Sequence, residues 1–129
     1  MGLIGGDSSF VKFENSRNDV ATFYRAADVF IAPSRSEGFN YSLVEALYSE
    51  TLVIASNINP HGKILSDEFL FESENEFELK QAILKVLKHK SNALLKSELK
   101  SLVVDKYNIN KWSKEIIACF EEVLLKKLR

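Results

Sequence analysis

The feature that most constrains this chain is a pair of unbroken apolar runs, Val29-Phe30-Ile31-Ala32 and Leu52-Val53-Ile54-Ala55, with a helical pattern between them. A strand with one face in water alternates apolar and polar residues, whereas a continuous apolar run is buried on both faces. Between the runs, Leu43, Ala46 and Leu47 fall on one side of residues 42–48 and Glu45 on another. Strand, helix and strand in this order describe a right-handed crossover in a parallel sheet. Upstream, Phe10-Val11-Lys12-Phe13-Glu14 alternates and ends in turn formers, which predicts a first strand. Val20, Phe23, Tyr24 and Ala27 then predict a helix with Asn18 or Asp19 as its N-cap. Downstream, residues 57–62 read as loop and Phe69-Leu70-Phe71 as a short fourth strand.

Three amphipathic helices follow, marked by Leu79, Ile83, Val86 and Leu87, by Leu94, Leu95, Leu99, Leu102 and Val103, and by Trp112, Ile116, Phe120, Val123, Leu124 and Leu128. No repeat, linker or low-complexity stretch divides the chain, so residues 1–129 are expected to form a single domain. Its class is α/β: three layers, Rossmann-like, with a mostly parallel sheet of about four strands and C-terminal helices. A mononucleotide-binding sheet normally has five or six strands, so the domain is expected to be truncated at its N-terminus. The sheet edge so exposed predicts a homodimer.

Charge and cysteine content narrow the function classes. Seventeen basic and eighteen acidic residues give a net charge of -1, which provides no broad positive field for nucleic acid. Cys119 is the one cysteine and can form neither an internal disulfide nor a thiolate zinc cage, as expected in a reducing compartment. No apolar run approaches the roughly 20 residues of a membrane span, and residues 1–7 lack the basic and apolar regions of a signal peptide. A cytoplasmic protein is expected, at most peripheral at the membrane. Lys126, Lys127 and Arg129 offer an anionic surface a small cationic tail, although a helix C-terminus attracts cations anyway.

The segment that carries chemistry runs from Pro33-Ser34 through Glu37-Gly38-Phe39-Asn40 to Ser42-Leu43 and Glu45-Ala46. It opens at the carboxyl end of a buried strand and enters a helix, where open parallel sheets place ligands. The spacing of Glu37 and Glu45 is uninformative by itself, since Glu68 and Glu76 repeat it. Context gives it content. Gly38 lets the backbone approach a ligand, the helix start near Ser42 and Leu43 offers amide hydrogens to an anion, and a carboxylate at Glu45 can accept from the paired hydroxyls of a ribose.

With Tyr24, Ala27 and Asp28 before the strand and Val53-Ile54-Ala55-Ser56 after the helix, this stretch resembles the carboxyl-terminal, donor-binding domain of the family 4 (group 1) glycosyltransferases. The resemblance continues through Phe69-Leu70-Phe71, Glu78-Leu79 and the segment from Tyr107 to Trp112. It implies the GT-B fold and retaining hexosyl transfer from a nucleotide-diphosphate sugar, with no catalytic metal and no cofactor beyond that donor. It also implies that Glu37 sits beside the donor sugar as the catalytic residue and that Gly38, Phe39, Asn40, Ser42, Leu43 and Glu45 bind the donor. Polysaccharide or glycolipid synthesis is the implied setting, and an N-terminal acceptor domain or a partner chain would complete the site. Where the family usually carries Gly and then Pro before the next strand, this chain has Glu50 and Leu52.

Two rivals differ in class. A catalytically inactive or regulatory nucleotide-sugar-binding module would keep the same fold. A dehydrogenase is disfavoured, since Gly2, Gly5 and Gly6 lack the Gly-x-Gly-x-x-Gly spacing. Of the remaining residues, Asp28 reads as a capping residue, and His61 and His89 as solvent-facing. Cys119 reads as a small buried hydrophobe, and Phe23, Phe30, Phe71, Phe77 and Phe120 as core. Phe39 and Tyr41 are the aromatic residues placed near a ligand.

Overall fold

The computed structural model describes residues 10–127. Its elements are α1 (Val20–Ala26), β1 (Val29–Ala32), α2 (Tyr41–Tyr48), β2 (Leu52–Ser56), α3 (Asn59–Gly62), a 3-10 turn at Asp67–Phe69, β3 (Leu70–Phe71), α4 (Glu76–Leu87), α5 (Ala93–Val104) and α6 (Ile109–Lys127). The strands pair in parallel in the order β1-β2-β3, with Val29 opposite Leu52 and Ala55 opposite Leu70. All five residues of β2 are buried, which requires cover on both faces of the sheet. The helices α2 and α4 both pack against β2, and α1 and α5 pack on α2.

The core forms where the continuous apolar runs meet the apolar face of α2. Leu43, Ala46, Leu47, Leu52, Val53, Ile54 and Ala55 are completely inaccessible. Leu99 and Val103 of α5 and Val86 of α4 close it from outside. Asparagine caps three of the helices by accepting the amide three residues on: Asn40 from Leu43, Asn75 from Glu78 and Asn92 from Leu95. At α1 the N-cap is Asp19, but Arg17 takes its carboxylate at 2.8 and 3.0 Å, and the helix has no side-chain cap.

The end of α2 holds a left-handed residue. The Glu50 amide donates to the Leu47 carbonyl and the Thr51 amide to that of Ala46, the paired closure that glycine usually serves at a helix C-terminus. Glu50 stands in the glycine position at φ 61°. Its carboxylate pairs with Lys100 of α5 at 2.8 Å, and that hydrogen bond holds its pKa below the ordinary carboxylate range.

Several expectations need correction. The Val29–Ala32 run is not buried on both faces: β1 lies at the edge of the described sheet, Ala32 alone of its residues is buried, and Ile31 is 36% exposed. Residues 10–14 form no strand, and Phe10 and Phe13 are 88% and 85% exposed. Alternation supplies the side-chain pattern, but a strand also needs a neighbour for its N–H and C=O groups. Residues 10–14 pair with no strand of the sheet, which therefore has three strands and not about four among the described residues. Of the five phenylalanines assigned to the core only Phe71 is buried. Phe30 is half-buried, its ring edge-on to Tyr24, while Phe23 lies beneath Arg17 and Phe77 and Phe120 face solvent. Cys119 is exposed as well. Phe120 and Cys119 lie on α6, where Trp112, Ile117 and Leu124 are also more than half exposed. Spacing marks a helix face, and this face has no core to meet among the described residues. The readings that rest on residues 1–7, Leu128 and Arg129 fall outside the described residues.

Candidate functional site

The loop from β1 to α2 follows the carboxyl end of a sheet strand, and Ser56 at the end of neighbouring β2 holds it at two points. The Ser56 hydroxyl donates to the Ser34 carbonyl. The Ser34 hydroxyl in turn donates to Glu37 Oε1 at 2.8 Å, tethering an exposed carboxylate. At the far end of the loop the Ser56 carbonyl accepts from His61 Nδ1 at 2.8 Å, and His61 Nε2 accepts from Asn40 Nδ2 at 3.0 Å. Asn40 Oδ1 accepts from the Leu43 amide at 3.0 Å and so starts α2. His61 is therefore no solvent-facing loop residue: α3 turns it inward, it is completely inaccessible, and both ring nitrogens are satisfied.

Glu37, Gly38 and Phe39 line a cleft of about 350 Å³ together with Pro60, Lys63 and Tyr107. A methyl group added at Gly38 would meet no atom within 4 Å, so this part of the backbone faces open space. The Phe39 ring stacks edge-on between Tyr41 and Tyr107, with centroids 4.8 and 5.1 Å away. Burial pushes the Tyr107 phenol above its ordinary pKa. Lys106, also in the cleft wall, donates to the Lys63 carbonyl at 2.8 Å, which leaves two cationic side chains near the Glu37 loop.

Glu45 lies one turn into α2 and lines a different cavity, of about 400 Å³, with Ser42, Tyr24, Phe23 and Arg17. The Tyr24 hydroxyl donates to Glu45 Oε2 at 3.2 Å. Burial, and then the nearby Glu45 charge, push the Tyr24 phenol above its ordinary pKa, with a hydrogen bond to Ser42 opposing them. Tyr24 thus holds one oxygen of the carboxylate at the wall of this cavity. The same residue is tied to the helix end, because the Thr51 hydroxyl donates to its carbonyl at 2.6 Å.

The structure therefore sorts the residues singled out in the sequence. Glu37, Gly38 and Phe39 share one cleft; Ser42 and Glu45 share another. Asn40 is nearly buried with its amide engaged on both sides, the Leu43 side chain is buried, and the Leu43 amide is occupied by the cap. Whatever anion α2 receives meets the amides of Tyr41 and Ser42 first. Sequence reasoning missed Lys63 and Lys106 and set His61 aside as solvent-facing, and nothing in their spacing distinguishes them; Ser56 entered only as part of the resemblance. Tyr24 was visible only through the resemblance.

The sequence model of the family described as glycosyl transferases group 1 matches residues 3–102. An uncharacterised glycosyltransferase of Methanocaldococcus jannaschii is 35% identical over 104 residues, covering 66% of this chain and 30% of that protein. The Escherichia coli UDP-Gal:alpha-D-GlcNAc-diphosphoundecaprenol alpha-1,3-galactosyltransferase is 27% identical over 86% of this chain and 30% of its own length. A lipopolysaccharide core biosynthesis mannosyltransferase of Rhizobium leguminosarum is 33% identical over 49% of this chain and 18% of its own length. The fold resembles that of a sucrose-phosphate synthase from Thermosynechococcus elongatus, with a TM-score of 0.73 at 23% identity, over 83% of this chain and 28% of that one. The chain thus spans less than a third of the length of the relatives it matches.

Proposed function

Because the chain belongs to the group 1 glycosyl transferases, we propose that it forms the donor-binding half of an enzyme transferring a hexosyl group from a nucleotide-diphosphate sugar. The observation that carries this reading is Glu45, held by the Tyr24 hydroxyl in the wall of one cavity while the Glu37-Gly38-Phe39 loop lines another. A carboxylate held in place by a neighbouring hydroxyl suits the paired hydroxyls of a ribose. The amides at the start of α2 suit the diphosphate, whose growing charge as a leaving group they would stabilise. Gly38 and Phe39 shape the sugar pocket, Asn40 and Leu43 fix the turn that presents Ser42, and Glu37 stands beside the sugar as the catalytic carboxylate. Lys63 and Lys106 supply positive charge on the far wall.

On this reading the transfer is retaining and needs no metal. Rate comes from positioning the donor against an acceptor held by an N-terminal domain or a partner chain. The relatives named for undecaprenol-linked and lipopolysaccharide sugars favour a glycolipid or polysaccharide acceptor, reached by a cytoplasmic protein resting on the membrane. Among the described residues no helix is long and apolar enough to cross a membrane.

Calorimetric titration with uridine and guanosine diphosphates and their sugar conjugates tests the reading. Saturable binding that Glu45→Ala weakens by about 1 kcal/mol or more supports it, since that is the usual worth of a hydrogen bond to a charged group. Gly38→Ala is the second arm: the added methyl has room in the fold, so binding should fall while stability does not. Absence of binding at millimolar nucleotide to a folded chain would sink the donor-site assignment.

A further inference from the structure

We infer that His61 is a positioning residue of the donor site: it locks the Asn40 amide in the one orientation that caps α2, and so sets where the Tyr41 and Ser42 amides stand. The inference rests on the donor-site reading of those amides and adds to it a residue that touches no ligand.

The geometry leaves a single consistent proton assignment. The Ser56 carbonyl can only accept, so His61 Nδ1, 2.8 Å away, carries a hydrogen. A neutral ring with its proton on Nδ1 has a lone pair at Nε2, and Nε2 lies 3.0 Å from the side-chain amide of Asn40. The amide must therefore turn its NH2 to the ring, which leaves Oδ1 for the Leu43 amide at 3.0 Å. Any other state puts like against like. A proton on Nε2 would force the Asn40 amide to flip, and its NH2 would then face the Leu43 N–H, donor against donor. The ring, the amide and the helix cap thus switch together or not at all.

Burial makes the lock costly to break. His61 is completely inaccessible and Asn40 is 8% exposed, so water cannot easily replace a lost partner. The caps Asn75 and Asn92 lack this arrangement: the Asn75 amide nitrogen bonds to Glu78 of its own helix, and the Asn92 cap lies in solvent. Their asparagines start helices without a histidine behind them. At α2 the same device is anchored in β2 through the Ser56 carbonyl, which ties the position of the first turn to the sheet.

The test uses the whole chain, its His61→Leu and His61→Gln variants, and uridine and guanosine diphosphates as probes. Nitrogen-15 spectra of the wild-type ring should show the neutral form protonated at Nδ1; a proton on Nε2 overturns the inference without any variant having to fold. In His61→Leu the Leu43 amide should exchange with solvent at least about tenfold faster, while the Leu95 amide under the Asn92 cap is unchanged. Nucleotide affinity should fall on the order of tenfold, the scale of one lost hydrogen bond to a charged ligand. His61→Gln, which returns an acceptor to Asn40, should recover most of both. Equal acceleration at Leu43 and Leu95 would mean a general loss of stability and overturn the proposal. So would unchanged affinity in His61→Leu beside a wild type that binds. A wild type that binds no nucleotide would instead refute the donor-site reading, and the positioning role with it.

Discussion

Helices α2 and α6 have comparable apolar stripes, yet one is the centre of the molecule and the other stands in solvent. In α2, Leu43, Ala46 and Leu47 are completely inaccessible against β1 and β2. In α6, Trp112, Phe120 and Leu124 are 58%, 65% and 60% exposed. The difference teaches that periodicity specifies which side of a helix wants cover, whereas the supply of cover depends on the rest of the chain. Between β1 and β2, α2 has two continuous apolar strands to pack against. No such surface reaches α6 among the described residues.

Substitution should separate the two helices sharply. Leu47→Ala in α2 should cost about 3 kcal/mol, as for other fully buried leucines, and Phe120→Ala in α6 less than about 0.5. Urea denaturation followed by circular dichroism measures both, and equal costs would show that α6 has found a partner in solution. A smaller contrast lies between the caps. Asn40→Ala should cost about 2 kcal/mol and Asn92→Ala about 1, because the first also orphans a buried histidine. Equal losses would break the distinction.

The other end of α2 should respond in the opposite sense. Glu50→Gly relieves a left-handed backbone at φ 61° and should raise the melting temperature by roughly 4 °C, even with the exposed Lys100 pair lost. The smallest effect is a pH dependence. The Lys100 hydrogen bond lowers the Glu50 pKa, so the contribution of this pair is present above the ordinary carboxylate range and fades as pH falls through the lowered value. Burial raises the Tyr24 pKa, so its contribution is present below the ordinary phenol range and is lost as pH rises past the raised value. Melting curves across pH should therefore lose a little of the acid limb in Glu50→Gln and flatten on the alkaline limb in Tyr24→Phe.

Much of the fold was legible because its key signals are one-dimensional. Val29 to Ala32 and Leu52 to Ala55 read as strands and are strands, with a helix between them as the spacing of Leu43, Ala46 and Leu47 requires, but only the second is buried throughout. The strand expected at Phe10 to Glu14 failed because pairing is a property of two segments, and only one of them was in view. The site divides in the same way. Glu37, Gly38 and Glu45 were marked by their place after a strand and by their motif. His61 was not, because its burial depends on a five-residue step back to the Ser56 carbonyl and a contact 21 residues away in Asn40. The departure at Glu50 was visible as a missing glycine, and the structure shows its consequence as a left-handed glutamate.

The lone tryptophan of the chain sits on α6. Intrinsic fluorescence will therefore describe that helix and be nearly blind to the packing of Leu43, Leu47 and Ile54. A denaturation curve read at 350 nm or so should part company with one read from backbone ellipticity, which is the signature of probes that do not report one transition. In this molecule the mismatch would reflect where the chromophore lies, and it turns α6 into an optical sensor. Any surface that comes to cover the stripe should shift Trp112 emission to the blue before the rest of the protein registers a change.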